Sequence, residues 1–237
     1  MIKINNLTKK YKNKLVVDNL NLEIKDGELF SLLGTNGAGK TTTIKMLSSL
    51  ILPTSGTAVI NTFDLVKNRN KIREIINISP QETAVAPNLT VLENLYFMAG
   101  IYQIKNKKKK IEELISLFKL EEVLKQKAKT LSGGYQRKLS IAISLINDPV
   151  ILFLDEPTLG LDVISRQDLW KVINSLKGKT TIILTTHYME EAEKLSDRIG
   201  IMNKGKLIEV GTSKELMKKA KTNIFEDAFI KIVESDV

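Results

Sequence analysis

Residues 34–41 read GTNGAGKT and match the pattern G-x-x-x-x-G-K-T, which is typical of a loop that binds the phosphates of a nucleotide. The glycines allow the backbone to curl so that successive N–H groups point at phosphate oxygens at the N-terminus of the next helix. We expect Lys40 to bridge the β- and γ-phosphates and the hydroxyl of Thr41 to bind Mg²⁺. The residues predicted to line this phosphate site are Gly34, Thr35, Asn36, Gly37, Ala38, Gly39, Lys40, Thr41 and Thr42.

Two adjacent carboxylates follow the apolar segment ILFL, which predicts a buried strand over Ile151–Leu154. Asp155 then stands at the end of that strand, where it can hold Mg²⁺ through water. Glu156 need not bind the metal and can polarise an attacking water as a general base. This pair of carboxylates favours hydrolysis over the phosphoryl transfer of a small-molecule kinase.

His187 is the only histidine of the chain and follows the strand-like segment TIIL. A lone histidine is more often a structural residue than a functional one. Its position at the end of another predicted core strand, beside Thr185 and Thr186, nevertheless favours a role at the phosphates. We expect His187 to donate a hydrogen bond to the γ-phosphate and to orient water.

A second anion-binding helix start is predicted by LSGGYQ, just before the helix-like segment QRKLSIAISLI. Ser132, Gly133 and Gly134 can present backbone N–H groups to a phosphate in the same way as the first loop does. The simpler alternative is a serine N-cap followed by a glycine turn. On the first interpretation, one chain carries two phosphate-binding helix ends.

The segments that must position these residues predict an α/β protein. Apolar–polar alternation up to about Gly27 predicts a hairpin of short strands, and ELFSLLG, VILFLDEP and TTIILTTH predict buried strands of a mostly parallel sheet. A helix is expected around Ser165–Leu176, and IGIMNKGKLIEVG predicts a closing hairpin. Between about Leu89 and Lys129, the segments VLENLYFMAGIY, KKIEELISLFKL and EEVLKQKAK all have helical periodicity and predict an inserted helical part.

Composition sets limits on the class of protein. The 237 residues contain no cysteine, which excludes disulfides, zinc ribbons and cysteine nucleophiles. A net charge of +9 permits a nucleic acid or an anionic membrane as a partner, but it also fits a lysine-rich solvated surface. The N-terminus does not resemble a signal peptide, and no window approaches the roughly 18 apolar residues of a membrane span. Any passage through a membrane is therefore expected to come from a partner.

Taken together, the motifs resemble those of the ATP-binding subunit of an ABC transporter. LSGGYQ matches the family signature, GTNGAGKTT its phosphate loop and ILFLDEP its acidic strand. The match runs from about Ile2 to Gly211 with every motif in order. Thr35 occupies a position where proline is commoner, and we expect no functional consequence. PNLTVLENL and the segment after His187 look most similar to the branch that serves drug and antibiotic export permeases (ABC-2 type).

The resemblance implies further site residues. Gln81 in ISPQ is the expected Q-loop glutamine, Asp162 in GLD the D-loop aspartate, and Tyr11 the aromatic residue that stacks on adenine. In the family, ATP and Mg²⁺ bind between two subunits arranged head to tail. The implied metal ligands are Thr41, Gln81 and Asp155, and the implied catalytic residues are Glu156, His187, Lys40 and Gln81. The partner subunit would contribute Ser132, Gly133, Gly134 and Gln136.

The resemblance also implies an organisation for the chain. It predicts a single nucleotide-binding domain with a P-loop NTPase (RecA-like) core and an N-terminal antiparallel β part in residues 1–88 and 131–212. A helical insertion is expected at 89–130 and a short helical tail at 213–237. The chain would work at the cytoplasmic face of the cell membrane with a separate permease, as a homodimer or heterodimer of such subunits.

Two other classes of protein share some of these features. A non-transport ABC-type ATPase acting on nucleic acid or ribosomes would suit the positive charge. DNA-repair relatives, however, insert long coiled coils before the signature, whereas this chain has only a compact insertion there. Translation factors carry two cassettes in one chain, and this sequence contains one. No nucleic-acid partner is therefore expected. A P-loop kinase or GTPase would leave LSGGYQ and His187 unexplained, and the chain has no convincing N-K-x-D segment.

Overall fold

The computed structural model describes residues 1–235, which form two β-sheets and the helices around them. The smaller sheet is antiparallel, in the order β2-β1-β4-β5. The alternation in the N-terminal sequence corresponds to its two long strands, since alternate side chains of a strand point to opposite faces. The four strands are β1 (Ile2–Tyr11), β2 (Lys14–Ile24), β4 (Ser55–Ile60) and β5 (Phe63–Asp64).

The larger sheet has the order β10-β9-β3-β8-β7-β6 and is parallel except for its last strand, β10. Every residue of β3, β7 and β8 is buried. Both faces of these strands are covered, which explains why their sequences are apolar without alternation. The strands are β3 (Leu29–Gly34), β6 (Ile76–Ser79), β7 (Ile151–Asp155), β8 (Thr181–Thr186), β9 (Arg198–Asn203) and β10 (Lys206–Gly211).

The helices cover the larger sheet and close the core on both sides. Phe153 of β7 packs in a cluster with side chains of the antiparallel sheet, whereas Leu152 and Leu154 pack with the helices on the opposite face. The helices are α1 (Lys40–Leu47), α2 (Arg69–Ile75), α3 (Val91–Ile101), α4 (Lys107–Phe118), α5 (Gly133–Ser144), α6 (Val163–Ser175), α7 (Met189–Leu195), α8 (Ser213–Lys219) and α9 (Phe225–Glu234).

The predicted mixed α/β architecture, with an antiparallel sheet beside a mostly parallel one, is confirmed. The expected short α-helix over EEVLKQKAK is wrong, because that segment forms only two 3₁₀ turns, Glu121–Val123 and Ala128–Thr130. Its carbonyl groups accept hydrogen bonds from the start of α3 instead: Gln126 O accepts from Val91 N at 3.0 Å and Leu124 O from Leu92 N at 3.1 Å. These contacts with a distant segment outweigh the local preference for a helix.

The strand-like segment TAVI predicts β4, whereas the sequence gives no prediction for four other elements: β5, α2, β6 and α7. They are short, at two to seven residues, and periodicity gives little signal over such lengths. Within residues 1–235, none of the helices is long and apolar enough to cross a membrane. The predicted C-terminal tail contains α8 and α9, and its last two residues, 236 and 237, lie outside the described part of the chain.

Candidate active site

The parallel register of the larger sheet places the predicted residues at one edge. Leu33 of β3 pairs with Thr186 of β8, and Asp155 of β7 pairs with Thr185 of β8. The segments after these strands therefore leave the sheet side by side, which is where ligands bind in open α/β sheets. A pocket of about 420 Å³ lies there, lined by Val16, Asn36, Gly37, Ala38, Gly39, Lys40, Thr41, Thr42, Gln81, Glu156, Leu159 and His187.

The N-terminus of α1 opens into this pocket. Its N-cap residue is Gly39, with φ of 105°, and no side chain caps the helix. A side chain at Gly39 would strain that backbone and bring a Cβ atom to 2.7 Å from the carbonyl oxygen of Val16. The first N–H groups of a helix have no partner within it. The uncapped end of α1 therefore offers donors and a positive dipole end to an anion in the pocket.

Lys40 places its ammonium group at the base of the loop. Its Nζ donates hydrogen bonds to the carbonyl oxygens of Gly34 (2.7 Å) and Thr35 (3.3 Å) and lies 3.4 Å from Oε1 of Glu156. The side chain is only about 6% exposed. A buried ammonium group needs such partners, and phosphate oxygens would be stronger ones.

A cluster of oxygen atoms lies beside the first turn of α1. Thr41 Oγ1 donates to Oδ1 of Asp155 at 3.0 Å, and Thr185 Oγ1 donates to the same oxygen at 2.5 Å. Asp155 is 3% exposed. Hydroxyl and carboxylate oxygens are the ligands that Mg²⁺ prefers, so this donor set fits that ion. Thr185 was noted in the sequence only as a neighbour of His187, and its contact with Asp155 depends on the pairing of β7 with β8.

Glu156 and His187 both line the pocket, and their side chains are in direct contact. His187 Nδ1 lies 2.5 Å from Oε2 of Glu156, whose side chain is 7% exposed. Glu156 has a φ of 49°, an uncommon conformation for a residue with a side chain. Its N–H donates to the carbonyl and hydroxyl oxygens of Thr185, both at 3.1 Å. The backbone therefore turns sharply at Glu156, directly after the carboxylate of Asp155.

The residues of LSGG are not part of the pocket lining. Ser132 and Gly133 are exposed, and Ser132 Oγ accepts a hydrogen bond from Tyr135 N at 3.4 Å as the N-cap of α5. A Cβ atom on Gly133 would meet no described atom within 4 Å, whereas one on Gly134 would lie 2.9 Å from Ser165 Oγ. The simpler alternative, a serine N-cap, is therefore observed, and anion binding at this exposed helix start stays a prediction.

The start of α6 lies next to that of α5. Asp162 is its N-cap residue and accepts hydrogen bonds from the N–H groups of Ile164 (2.9 Å) and Ser165 (3.0 Å) and from Ser165 Oγ (2.6 Å). The hydrogen bonds from Ser165 lower the pKa of Asp162. Because Gly134 approaches Ser165, the predicted signature and D-loop residues share one surface outside the pocket.

The remaining predicted residues have mixed positions. Gln81 lines the pocket from an exposed loop after β6. Tyr11 is 45% exposed, with Lys9 Nζ 4.9 Å from its ring centre, and is not in the pocket lining, whereas Val16 on β2 is. Gln136 Nε2 donates to Leu131 O at 3.1 Å. Val16 and Leu159 were missed because a single apolar residue carries no sequence signal for a binding site.

Known proteins resemble this chain in sequence and in fold. The family profile described as "ABC transporter" matches residues 17–159, more than half of the chain. The chain therefore belongs to the ABC transporter family, and its fold is that of the ATP-binding cassettes of that family.

Two curated relatives illustrate the similarity. The chain is 39% identical over 241 residues to the "Probable multidrug ABC transporter ATP-binding protein YbhF" of Escherichia coli (strain K12), covering 98% of this chain and 42% of that protein. It is also 39% identical over 222 residues to the "Linearmycin resistance ATP-binding protein LnrL" of Bacillus subtilis (strain 168), covering 92% of this chain and 71% of that protein. The chain thus spans less than half the length of YbhF.

Solved structures with the same fold include the ATP-binding subunit of an ABC transporter, with a TM-score of 0.88 and 26% identity over 98% of this chain and 99% of that chain. Another is a dimeric ATP-binding cassette in a post-hydrolysis state bound to ADP and Pi, with a TM-score of 0.81 and 29% identity over 90% of this chain and 98% of that one.

Proposed function

We propose that this chain binds and hydrolyses ATP and thereby drives a separate membrane permease, as the ATPase subunit of an ABC exporter. The observation that carries the proposal is a single pocket that contains the uncapped start of α1, the buried Lys40 and the pair Glu156–His187. A phosphate chain fits the first two features, and an attacking water fits the third.

The residues around the pocket divide the chemistry between them. The N–H groups at the start of α1 and Lys40 Nζ would hold the phosphates. Glu156 would take a proton from water as its oxygen bonds to the γ-phosphorus and the bond to the β-phosphate oxygen breaks, leaving ADP and phosphate. His187, 2.5 Å from Glu156, would orient that carboxylate and the γ-phosphate. Mg²⁺ beside Thr41, Asp155 and Gln81 would neutralise charge on the phosphates.

A second cassette would complete the site. Ser132 and Gly133 are exposed and lie outside the pocket of their own chain, as expected if they reach the γ-phosphate held by another subunit. The similar cassette solved as a dimer with ADP and Pi supports this arrangement. Such closure would add donors where negative charge develops, which accelerates the reaction. The D-loop role of Asp162 and the adenine-stacking role of Tyr11 stay predictions.

The transport role is supported by the named relatives. YbhF and LnrL are described as multidrug transporter and linearmycin resistance ATP-binding proteins, which favours the export branch. Neither name refers to nucleic acid or ribosomes. We place the chain at the cytoplasmic face of the membrane, held there by the permease. ATP would then shift the equilibrium between two states of the transporter through its different contacts with each.

The test is a pull-down of tagged Glu156→Gln protein from its native cells with ATP and Mg²⁺, followed by mass spectrometry. The Lys40→Ala variant, which should not bind ATP, is the matched control. Recovery of a polytopic membrane protein with Glu156→Gln would support the transporter role, and a different yield with Lys40→Ala would show that the contact depends on ATP. Ribosomal proteins or nucleic acid without any membrane protein would overturn it and favour the non-transport ATPase.

A further inference from the structure

Arg137 lies in the first turns of α5, five residues after Ser132, and its guanidinium group is bonded to backbone carbonyl groups. Nε donates to Pro157 O at 2.7 Å and Nη2 to Asp155 O at 2.8 Å, while Nη1 donates to Pro80 O at 2.5 Å and Gln81 O at 3.2 Å. The residue is only 4% exposed. Among the described residues, no carboxylate lies within ion-pair distance of it.

Two of these carbonyl groups flank Glu156 in the chain. Asp155 and Pro157 are its direct neighbours, so the guanidinium group binds the carbonyl group of the residue on each side of the proposed base. Glu156 has a φ of 49°, a conformation that costs free energy and persists only where the surroundings enforce it. Arg137 restrains this backbone through its hydrogen bonds to the carbonyl groups of Asp155 and Pro157. Thr185 restrains it by accepting a hydrogen bond from the N–H of Glu156.

The other two carbonyl groups belong to the start of the Gln81 loop. Ser140, one turn further along α5, adds to this attachment because its Oγ accepts from Ala84 N at 3.3 Å and lies 3.3 Å from Ser79 Oγ. One face of α5 is therefore bonded both to the loop that carries Gln81 and to the backbone around Glu156. The same helix begins at Ser132, on the surface proposed to meet the second cassette.

The charge of Arg137 is retained in this environment. Burial lowers its pKa to about 10, partly offset by the nearby charges of Asp155, Glu191 and Glu156. The group is therefore cationic at neutral pH. A planar guanidinium can span four carbonyl oxygens in fixed directions, which the single nitrogen of lysine cannot do.

We propose that Arg137 is a positioning residue for hydrolysis: it fixes the backbone on both sides of Glu156 and joins it, through α5, to the Gln81 loop and to the helix start at Ser132. This inference rests on the proposed function of the site. Arg137 does not line the pocket, so its removal should impair turnover and leave ATP binding largely intact.

The experiment compares Arg137→Lys and Arg137→Met with the wild-type chain. Steady-state ATPase assays give kcat and KM, a fluorescent ATP analogue gives the Kd, and thermal unfolding gives Tm. The control is Arg198→Lys, a partly buried arginine that binds Glu28 away from the pocket at 2.7 Å. We expect kcat to fall about tenfold or more in Arg137→Met, with Kd and KM within about threefold, and Arg137→Lys to recover part of kcat.

Arg198→Lys should lower Tm while keeping kcat. Normal kcat in a folded Arg137→Lys or Arg137→Met protein would overturn the proposal. So would an equal loss of kcat in Arg198→Lys at a similar Tm, because instability alone would then explain the effect, or a parallel loss of ATP binding in the Arg137 variants. If Arg137→Met does not fold, Arg137→Lys alone decides by the same criteria. A wild-type chain that lacks ATPase activity would instead refute the proposed function itself.

Discussion

At the scale of single residues, the polar groups of the pocket bind one another closely. Lys40 contacts Glu156, Glu156 contacts His187, and Thr41 contacts Asp155. Buried charges require such partners, because an unpaired charge away from water is costly. The residue types alone suggested which groups carry the chemistry, and the distances indicate which of them act as pairs.

The first prediction concerns the proposed base. In Glu156→Gln, an amide replaces the carboxylate and cannot accept the proton of water, so kcat should fall at least a hundredfold. ATP binding should remain, because the phosphate donors are unchanged. ATPase assays and equilibrium ATP binding measure the two effects. Glu28→Gln, another buried glutamate but one that binds Arg198, should remain active. Normal turnover in Glu156→Gln would remove this residue as the base.

A second prediction concerns Glu191, which is fully buried and accepts hydrogen bonds from Thr158 Oγ1 (2.8 Å) and Trp170 Nε1 (3.0 Å). Burial raises its pKa, so the folded chain binds this proton more tightly than the unfolded chain does. Its contribution to stability is therefore present at acidic pH and is lost as the pH rises from its ordinary value towards the raised pKa. Glutamine does not ionise and avoids this loss.

We accordingly expect Glu191→Gln to gain in unfolding free energy relative to the wild type as the pH rises from about 4.5 to 8. Denaturant titrations followed by the fluorescence of Trp170, the only tryptophan, would measure the difference. A stability difference that does not change with pH would show that Glu191 keeps an ordinary pKa in the folded chain.

At the scale of elements, the two helix starts of α1 and α5 differ in what surrounds them. The start of α1 has no side-chain cap and lies in the pocket, whereas Ser132 caps α5 at the surface with a long 3.4 Å hydrogen bond. A helix start bound to phosphate needs no other cap, since the anion satisfies its donors. The sequence suggested two equivalent ends, but only one lies beside Lys40.

The third prediction follows from the position of α5. Ser132→Ala should lower kcat about tenfold or more, because the hydroxyl would touch the γ-phosphate of a second subunit. The affinity of the monomer for ATP should not change, since Ser132 lies outside its own pocket. Loss of the cap should cost about 0.5–2 kcal/mol of stability.

Thr212→Ala is the matched control for this variant. Thr212 caps α8 in a capping box with Glu215, so its loss should also reduce stability but not activity. Equal ATPase activity in Ser132→Ala and wild type would leave Ser132 with a structural role only.

At the scale of the whole molecule, the pocket and the surface around Ser132 and Asp162 are separate on one chain. Val163 and Ile164, at the start of α6 beside that surface, are 59% and 76% exposed. Exposed apolar side chains next to charged and polar groups are typical of a contact surface. The catalytic unit would therefore be a pair of cassettes, with two sites that each contain parts of both.

The fourth prediction tests this arrangement with mixed pairs of the chain. If Lys40→Ala and Ser132→Ala are in different subunits, both lesions fall in one composite site and the other site stays intact. If both changes are in one subunit, each site is damaged. The first pairing should therefore hydrolyse ATP faster than the second in assays of purified tandem-tagged dimers. The opposite order would mean that each chain uses its own Ser132.

Much of the fold could be predicted because the central strands of the larger sheet are continuous buried segments, the two N-terminal strands alternate and the long helices are periodic. The 3₁₀ turns that replace a helix at residues 121–129 could not be predicted. They form because carbonyl groups of that segment accept hydrogen bonds from backbone N–H groups at the start of α3. The short β6 was also missed, although it leads into the Gln81 loop. Pairing with β7, at Ile76 opposite Ile151 and onwards, stabilises this short strand and has no local signal in the sequence.

The chain by itself determined its family and the types of its candidate catalytic groups, because the chemistry of phosphates and water requires those residues in a recognisable order. The tertiary structure alone decided which groups meet. The register of β3, β8 and β7 brings Lys40, Asp155 and Glu156 together. The packing of α5 places Arg137 against the carbonyl groups on either side of Glu156. Contacts between residues far apart in the chain depend on packing, which leaves no local pattern in the sequence.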